Sequence, residues 1–282
     1  MYELKLGMSL QYFELAGESG KKICTVNHEF LRLLDEMKEN GFYSIEFGIC
    51  RVRNQADEDA AFPLIKQGVE EVQKRGIFLN SVHLPYNCNW LSVTEPDEKE
   101  RKQNVKNMVK NCSYFKGCMP RYFVLHPSNR PEPHLRDVGL RQLVKSLREL
   151  HELTGAHFLV ENMTNYGLLN VSQEALPVLY QLPELDMVVD VNHPLFETPE
   201  HYIRTVGSRV KSLHISDRDA EKECHYMPGE GVLNWMEIIS ALEEVGYDGV
   251  FNYELRLSHG YTPTMIRKNF DELFAKYNAM KK

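Results

Sequence analysis

Short apolar runs alternate with longer amphipathic segments along the whole chain. Eight runs are rich in Val, Ile, Leu, Phe and Tyr and end near Gly, Pro, Asn or Ser, which is typical of strands. These predicted strands are Leu4–Leu10, Ser44–Phe47, Phe78–Leu84, Tyr122–His126, Phe158–Glu161, Met187–Val191, Val210–Ile215 and Val250–Leu255. Most of them are continuously apolar, which indicates strands that are buried on both faces of a sheet.

Helical patterns fill the intervals between the predicted strands. The segment His28–Asn40 places Phe30, Leu34 and Met37 on one face and is followed by Gly41, a C-terminal signal. Four further helices are predicted at Phe62–Arg75, Leu140–Thr154, Trp235–Val245 and Thr264–Met280. Parallel strands need long crossovers, and helices supply them. We therefore predict an α/β fold, a (β/α)8 TIM barrel, formed by a single domain over residues 1–282.

Composition and charge narrow the class of protein. The 282 residues include 33 Lys and Arg and 40 Asp and Glu, so the net charge is −7, which makes a nucleic-acid partner unexpected. No apolar run approaches the ~20 residues that span a bilayer, and the N-terminus lacks the pattern of a signal peptide. The six cysteines are scattered, with no Cys-x-x-Cys pair. We expect a cytoplasmic protein with no membrane partner, and the sequence leaves a homo-oligomer open.

Acidic and imidazole side chains stand at or near the C-terminal ends of seven predicted strands. In a barrel these ends ring one mouth, so distant residues converge on one cavity. The residues concerned are Glu46 (SIEFG), His83 (SVHLPY), His126 (FVLHPS), Glu161 (FLVEN), Asp190 and His193 (VVDVNHP), His214 (VKSLHISD) and Glu254 (FNYEL). Several carboxylates in one place repel one another and raise their pKa values unless a cation compensates them. The pattern therefore predicts a metal site.

The residue types at these strand ends suit one divalent cation. Glu161, Asp190, His214 and Glu254 together would offer mostly oxygen ligands and one nitrogen, which fits Mn²⁺, Mg²⁺, Co²⁺ or Zn²⁺. Thiolate ligands are absent from the strand ends, so a structural zinc site is not expected. A polar loop follows His214 and contains a Gly-Glu-Gly turn, whose glycines would admit a ligand close to the backbone or form a plain turn.

The short motifs, in this order and spacing, resemble those of the xylose isomerase-like barrel superfamily, the sugar phosphate isomerase/epimerase group. The motifs are HLPY, LHPS, VEN, DVNH, LHISD, PGEG and YEL, and they extend over nearly the whole chain. In ketose 3-epimerases of this superfamily two glutamates, one aspartate and one histidine bind a divalent cation. The resemblance implies that Glu161, Asp190, His214 and Glu254 are the metal ligands, with Mn²⁺ as the first choice. It further implies that Glu161 and Glu254 are the catalytic groups that move the substrate proton.

Other mouth residues are predicted to contact the substrate. These substrate-binding candidates are Glu46, His83, His126, His193, His225 and Arg256, of which His193 resembles a ligand of a sugar hydroxyl. The epimerases also carry a substrate-binding arginine after the strand 7 histidine, whereas Arg218 here is out of register. Four aromatic residues are candidates for apolar walls against which a sugar packs, or for ordinary core positions: Tyr12, Phe13, Trp90 and Trp235.

The resemblance implies a metal-dependent isomerase or epimerase that acts on a small sugar or sugar phosphate through an enediolate. A phosphate group would want basic partners, for which Arg218, Lys222 and Arg256 are candidates or merely surface charges. A lyase that resembles inosose dehydratases would share the first proton abstraction and then lose a hydroxyl. A barrel that binds sugars without turnover is a further alternative.

A zinc phosphodiesterase that resembles endonuclease IV and cleaves abasic DNA is an alternative from another class. That enzyme uses three zinc ions, and its extra ligands would correspond to His83, His126, His193 and His225. It also expects an Asp two residues before the last histidine, where this chain has Glu223. The mouth loops NCNWLSVTEPDE and FETPEH lack the Lys and Arg that bind phosphodiesters, which favours the sugar enzyme.

Overall fold

Strands and helices alternate along the chain in the computed structural model, which describes residues 1–10, 15–16, 22–23, 26–48, 55–86, 91–127, 133–165, 167–256 and 259–281. The strands are β1 (Lys5–Leu10), β2 (Leu15–Ala16), β3 (Lys22–Ile23), β4 (Ser44–Gly48), β5 (Phe78–His83), β6 (Tyr122–Leu125), β7 (Phe158–Glu161), β8 (Asp186–Asp190), β9 (Val210–His214) and β10 (Val250–Tyr253). The helices are α1 (His28–Glu39), α2 (Gln55–Lys74), α3 (Glu98–Ser113), α4 (Arg136–Thr154), α5 (Ser172–Gln181), α6 (Pro199–Val206), α7 (Trp235–Glu244) and α8 (Pro263–Met280). None of the helices within these ranges is long and apolar enough to cross a membrane.

Eight of the described strands form one parallel sheet in the order β10-β1-β4-β5-β6-β7-β8-β9. The two outer strands of that order meet just beyond β9, where the Ile215 amide donates to the Asn252 carbonyl at 2.8 Å. The Glu254 amide in turn donates to the Ile215 carbonyl at 2.9 Å. The predicted (β/α)8 barrel of a single domain is thus confirmed, whereas its extent over residues 1–282 stays a prediction.

The helices differ from the sequence prediction in number and in where they begin, since no bounds were predicted for α3, α5 and α6. Helix α2 starts at Gln55 rather than Phe62 and keeps Pro63 inside it. A proline is favoured in the first turn, so a helix that begins at Phe62 fits the local signal although the structure extends it. Helix α1 buries Phe30, Leu34 and Met37, as predicted, and the Asn27 side chain caps it by accepting from the Phe30 amide.

An apolar layer inside the barrel supports the polar strand ends. Tyr122, Val124, Leu159 and Val188 form a small buried cluster that is separate from the larger core between strands and helices. Side chains two residues apart on a strand point to the same face. Leu159 therefore points to the same side of the sheet as Glu161, so that the C-terminal mouth of the barrel rests on packed apolar side chains.

Candidate functional site

Four of the predicted strand-end residues meet at the C-terminal mouth of the barrel. Glu161 ends β7, Asp190 ends β8, His214 ends β9 and Glu254 follows β10. Each of them contributes one donor atom to a group in which all atoms lie within 4.8 Å of one another, and all four residues are buried. The structure therefore brings together the whole predicted set of metal ligands, from strands that are up to 93 residues apart in sequence.

The Nδ1 atom of His214 is surrounded by carboxylates. It lies 3.1 Å from Glu161 Oε1, 3.2 Å from Glu254 Oε2 and 4.0 Å from Asp190 Oδ2. The Oδ2 atom of Asp190 is buried and makes no hydrogen bond within the described residues, although the His193 Nε2 lies 3.3 Å from it. Three carboxylates and one imidazole are the donors that Mn²⁺ or a similar hard to borderline cation prefers, so the residues present fit such an ion.

Two further imidazoles face the other oxygen of Glu161. His83 Nε2 lies 3.2 Å and His126 Nε2 lies 2.9 Å from Glu161 Oε2. The Tyr86 ring stacks on His126 with ring centroids 4.5 Å apart, and the His83 Nδ1 is bonded to the Leu84 carbonyl at 2.8 Å. His83, His126 and Glu161 also form a group that could hold a metal ion. Glu161 is thus shared between two clusters.

A third group at the mouth combines His193, His225 and Glu223. The His193 Nδ1 bonds to the Asn162 carbonyl at 2.7 Å, and the His225 Nδ1 bonds to the Glu254 carbonyl at 3.0 Å. Both Nε2 atoms face the carboxylate of Glu223, with His225 in close contact and His193 at 3.7 Å. Glu223 is 29% exposed at its side chain and was expected at the site only under the nuclease alternative.

The loop that carries Glu223 and His225 is anchored by the buried carboxylate of Asp217. Its Oδ2 accepts from the Gly229 amide and from the Trp235 Nε1, each at 2.8 Å. A Cβ on Gly231 would lie only 2.3 Å from Asp217 Oδ1. The Gly-Glu-Gly turn therefore packs against Asp217, and Trp235 is a core residue rather than a wall of the mouth. The other candidate wall residues, Tyr12, Phe13 and Trp90, lie outside the described residues.

The remaining predicted contacts differ in how they face the mouth. Glu46 is fully buried, and its carboxylate accepts from the His214 Nε2 at 2.9 Å. Arg256 is exposed, and its backbone amide donates to the His225 carbonyl at 3.4 Å. The Arg218 guanidinium donates to the carbonyls of Asp219 and Pro194, each at 3.0 Å. The hydrogen bonds of the Arg218 guanidinium within the described residues are therefore to backbone carbonyls, and a substrate-binding role for Arg218 stays untested.

The two central glutamates have pKa values that are shifted in opposite directions. Burial alone would raise the pKa of Glu161, but His214 and His126 outweigh it and hold this pKa well below its usual range. Burial, together with the carboxylates of Asp190 and Glu161, outweighs the opposing effect of His214 and raises the pKa of Glu254 to about 7. One carboxyl group is thus ionised at neutral pH while the other is poised to hold a proton.

The imidazoles are tuned by the same neighbours. Burial lowers the pKa of His214, but Glu254, Glu46 and Glu161 outweigh it and raise that pKa well above the ordinary value. Burial also opposes protonation of His225, whose contact with Glu223 nevertheless raises its pKa to about 9. The carboxylates of the mouth thus stabilise positive charge, whether a proton or a cation supplies it.

Several partners at the site were missed because they are neutral or lie outside the motifs. Ser9 and Ser81 donate to Glu46, and Asn162 exchanges hydrogen bonds with the backbone of Asp190. A signal did exist for the serines, since each is a polar residue in a predicted buried strand, and buried polar groups need partners. Glu223 was marked only through the resemblance to endonuclease IV, because the strand ends alone do not show the path of its loop.

The chain is similar to known epimerases. Fructoselysine 3-epimerase of Escherichia coli O157:H7 is 29% identical over 142 residues, which cover 48% of this chain and 51% of that enzyme, so the chain spans about half the length of this relative. D-psicose 3-epimerase of Enterocloster bolteae is 21% identical over 248 residues, which cover 83% of this chain and 79% of that enzyme. A solved D-tagatose 3-epimerase-like protein matches with a TM-score of 0.74 at 20% identity over 99% of this chain and 100% of its own, which shows a shared fold.

A family model extends the likeness to most of the chain. The model described as Xylose isomerase-like TIM barrel matches residues 34–275. This range includes every strand from β4 to β10 and all four residues of the central cluster. The chain belongs to the xylose isomerase-like TIM barrel family.

Proposed function

We propose that this protein is a divalent-metal-dependent sugar epimerase or isomerase that moves a proton between carboxylates through an enediolate. The observation that carries the proposal is the buried cluster of Glu161, Asp190, His214 and Glu254, in which two glutamates have opposite pKa shifts. The similarity to two curated 3-epimerases supports the same reaction class. A cytoplasmic location and a homo-oligomeric state stay predictions from the sequence.

The central cluster supplies the ligands for the cation in this proposal. Glu161, Asp190, His214 and Glu254 would hold it, and the buried Oδ2 of Asp190, which makes no hydrogen bond within the described residues, would gain a bond to it. When bound, a divalent cation makes the C–H beside a sugar carbonyl more acidic and stabilises the negative charge that develops on the substrate oxygens. We propose Mn²⁺ as the first choice, and Zn²⁺, Co²⁺ and Mg²⁺ share its ligand preferences.

The two glutamates are assigned complementary parts in the proton transfer. Glu161, with its lowered pKa, is ionised and acts as the base that removes the proton from the substrate carbon. Glu254, the second glutamate of the cluster, is assigned the delivery of a proton to the opposite face of that carbon. The parts are exchanged in the reverse direction. Return of the proton to the same carbon gives the epimer, and return to the adjacent carbon gives the isomer.

The remaining mouth residues would recognise hydroxyl groups of the sugar. The ring nitrogens of the buried His193 and His225 face the part-exposed carboxylate of Glu223, and sugar hydroxyls can replace these contacts. His83 and His126 line the opposite side of Glu161. We propose that these imidazoles orient the substrate and that the reacting carbon lies between the two catalytic glutamates.

Solvent exchange tests the proposal directly. The protein with Mn²⁺ is incubated in D₂O with D-fructose, D-psicose, D-tagatose or fructoselysine, and the recovered sugar is analysed by ¹H NMR. We expect deuterium at the carbon beside the carbonyl together with the epimer or isomer. Glu254→Gln should slow this exchange by about 10²–10⁴-fold, because one proton carrier is lost. Glu272→Gln, an exposed position on α8, is the matched control and should leave the exchange unchanged.

Two outcomes would reject the proposal. Full turnover by both Glu161→Gln and Glu254→Gln would remove the carboxylates from the mechanism. A dehydrated dicarbonyl product would instead identify a lyase that shares only the first proton abstraction.

The phosphodiesterase alternative fits less well but has a structural basis that can be tested separately. The groups His83–His126–Glu161 and His193–Glu223–His225 stand beside the central cluster, where further zinc ligands would be required. The curated relatives described above are nevertheless epimerases, and the net charge of the chain is −7. Three bound zinc ions per chain and cleavage of abasic DNA would support the nuclease and overturn the sugar enzyme.

A further inference from the structure

The two ring nitrogens of His214 lie in different surroundings. The Nδ1 atom faces Glu161 at 3.1 Å and Glu254 at 3.2 Å, within the proposed cation site. The Nε2 atom points away from these carboxylates and lies 2.9 Å from Oε1 of Glu46. His214 and Glu46 are both fully buried, so water does not compete for this contact. The imidazole therefore connects the central cluster to a carboxylate outside it.

Glu46 is held by donors on both neighbouring strands. Ser9 on β1 donates to Oε1 at 3.1 Å, and Ser81 on β5 donates to Oε2 at 2.7 Å. The strand register places Glu46 directly beside both serines. With His214, these donors engage both oxygens of the carboxylate and fix its orientation. Glu46 thus presents a rigid, charged acceptor to the Nε2 atom.

A carboxylate in this place has a defined effect on an imidazole ligand. An imidazole binds a cation through the nitrogen that carries no proton, and the hydrogen bond of the other nitrogen decides which one that is. Glu46 has only acceptor atoms when ionised, so it requires the proton on Nε2. The Nδ1 lone pair is then directed at the cluster, and the negative charge behind the ring makes that nitrogen a stronger donor.

We propose that Glu46 is a positioning residue that prepares His214 to bind the cation, rather than a residue that contacts the substrate. The proposal rests on the proposed function only in its need for a divalent cation at the central cluster. It revises the role expected from the sequence, because the side chain of Glu46 is 0% exposed and lies on the opposite side of the His214 ring from Glu161 and Glu254. Glu46 acts through His214, with Ser9 and Ser81 as its supports.

Binding of Mn²⁺ to the metal-free protein, measured by isothermal titration calorimetry, tests this role without any sugar. Loss of such an outer partner weakens metal affinity by about 10–100-fold. Glu46→Gln keeps an acceptor for the ring N–H but removes the charge, so we expect a loss of about tenfold. Glu46→Ala leaves the Nε2 proton unpartnered, and its loss should approach about 100-fold. Glu272→Gln is the matched control, because this exposed glutamate lies on α8.

A double-mutant cycle separates action through His214 from a direct effect of the Glu46 charge. In a His214→Ala background, Glu46→Gln should change Mn²⁺ affinity by less than about twofold, since the connecting ring is gone. A tenfold loss in that background would show that Glu46 acts on the cation site directly and would overturn the proposal. An unchanged affinity of Glu46→Gln in the otherwise native protein would overturn it as well.

A conservative variant covers the case in which changes at Glu46 prevent folding. Ser81→Ala removes one donor to the carboxylate but retains its charge and the contact with His214. It should weaken Mn²⁺ binding less than Glu46→Gln, with an unchanged circular dichroism spectrum. An equal or larger loss of Mn²⁺ affinity for Ser81→Ala would contradict the proposal that Glu46 acts on His214 and that Ser81 only supports Glu46.

Sugar turnover then distinguishes the two proposals. Weakened Mn²⁺ binding in Glu46→Gln without any deuterium exchange by the wild type would support the role of Glu46 and reject the epimerase. Deuterium exchange by the wild type, together with normal Mn²⁺ binding by Glu46→Gln, would support the epimerase and reject the role of Glu46. A wild type that binds no divalent cation would reject both.

Discussion

Replacement of Asp217 by Asn is expected to destabilise the protein strongly, because four N–H groups converge on this buried carboxylate. Its Oδ1 accepts from the amides of Arg218 at 2.9 Å and Leu233 at 3.1 Å, while its Oδ2 accepts from Gly229 and Trp235 at 2.8 Å each. Asn offers only one acceptor oxygen, so either orientation sets an NH₂ group against two donors. With about 1.5–3 kcal/mol for each hydrogen bond to a charged group, the expected loss is about 3–6 kcal/mol.

Urea denaturation followed by circular dichroism measures this loss as a change in the free energy of unfolding. A loss of that size is a large part of the ~5–15 kcal/mol that stabilises a typical domain. Asp248→Asn is the matched control, since Asp248 is exposed and should change stability by less than about 0.5 kcal/mol. A loss below about 1 kcal/mol for Asp217→Asn would refute the view that this carboxylate anchors the loop of Glu223 and His225.

Two further predictions concern packing and pH. Gly231→Ala should destabilise by about 1–3 kcal/mol in urea denaturation, because its Cβ would lie 2.2 Å from the Arg218 carbonyl oxygen. Gly139→Ala, whose nearest new contact would be 3.3 Å, should cost less, and equal costs would contradict the steric reasoning. Burial raises the pKa of Asp186, but hydrogen bonds from His157 and Arg209 outweigh it and lower that pKa below 3.8. A carboxyl group whose pKa is lowered by folding stabilises the folded protein at pH values above its ordinary pKa. This stabilisation is lost as the pH falls through the pKa of the folded state. Wild type should therefore be more stable than Asp186→Asn at pH 7, and the difference should shrink near pH 3; a constant difference in urea denaturation would contradict this.

The barrel could be predicted from the sequence because its strands carry continuous apolar runs and helices separate them. All eight barrel strands overlap their predicted runs. The closure of the ring was harder to foresee, since it depends on backbone bonds of Ile215 just beyond β9. The start of α2 was displaced because Pro63 inside a helix resembles a proline in a first turn.

The central cluster could be predicted because residues at the C-terminal ends of parallel strands must face one mouth. This rule places Glu161, Asp190 and His214 together without any knowledge of rotamers. It cannot tell which way a side chain turns from a strand end, and Glu46 turns to the Nε2 side of His214. Loop residues such as Glu223 also escape the rule, because their place follows from the path of the chain between elements.

Anomalous diffraction from crystals soaked in Mn²⁺ tests the central claim most directly, because it counts the cations and locates each of them. We predict one strong peak, with Glu161, Asp190, His214 and Glu254 all in its coordination shell. A peak that these residues do not share, or the absence of any peak at the barrel mouth, would contradict the account.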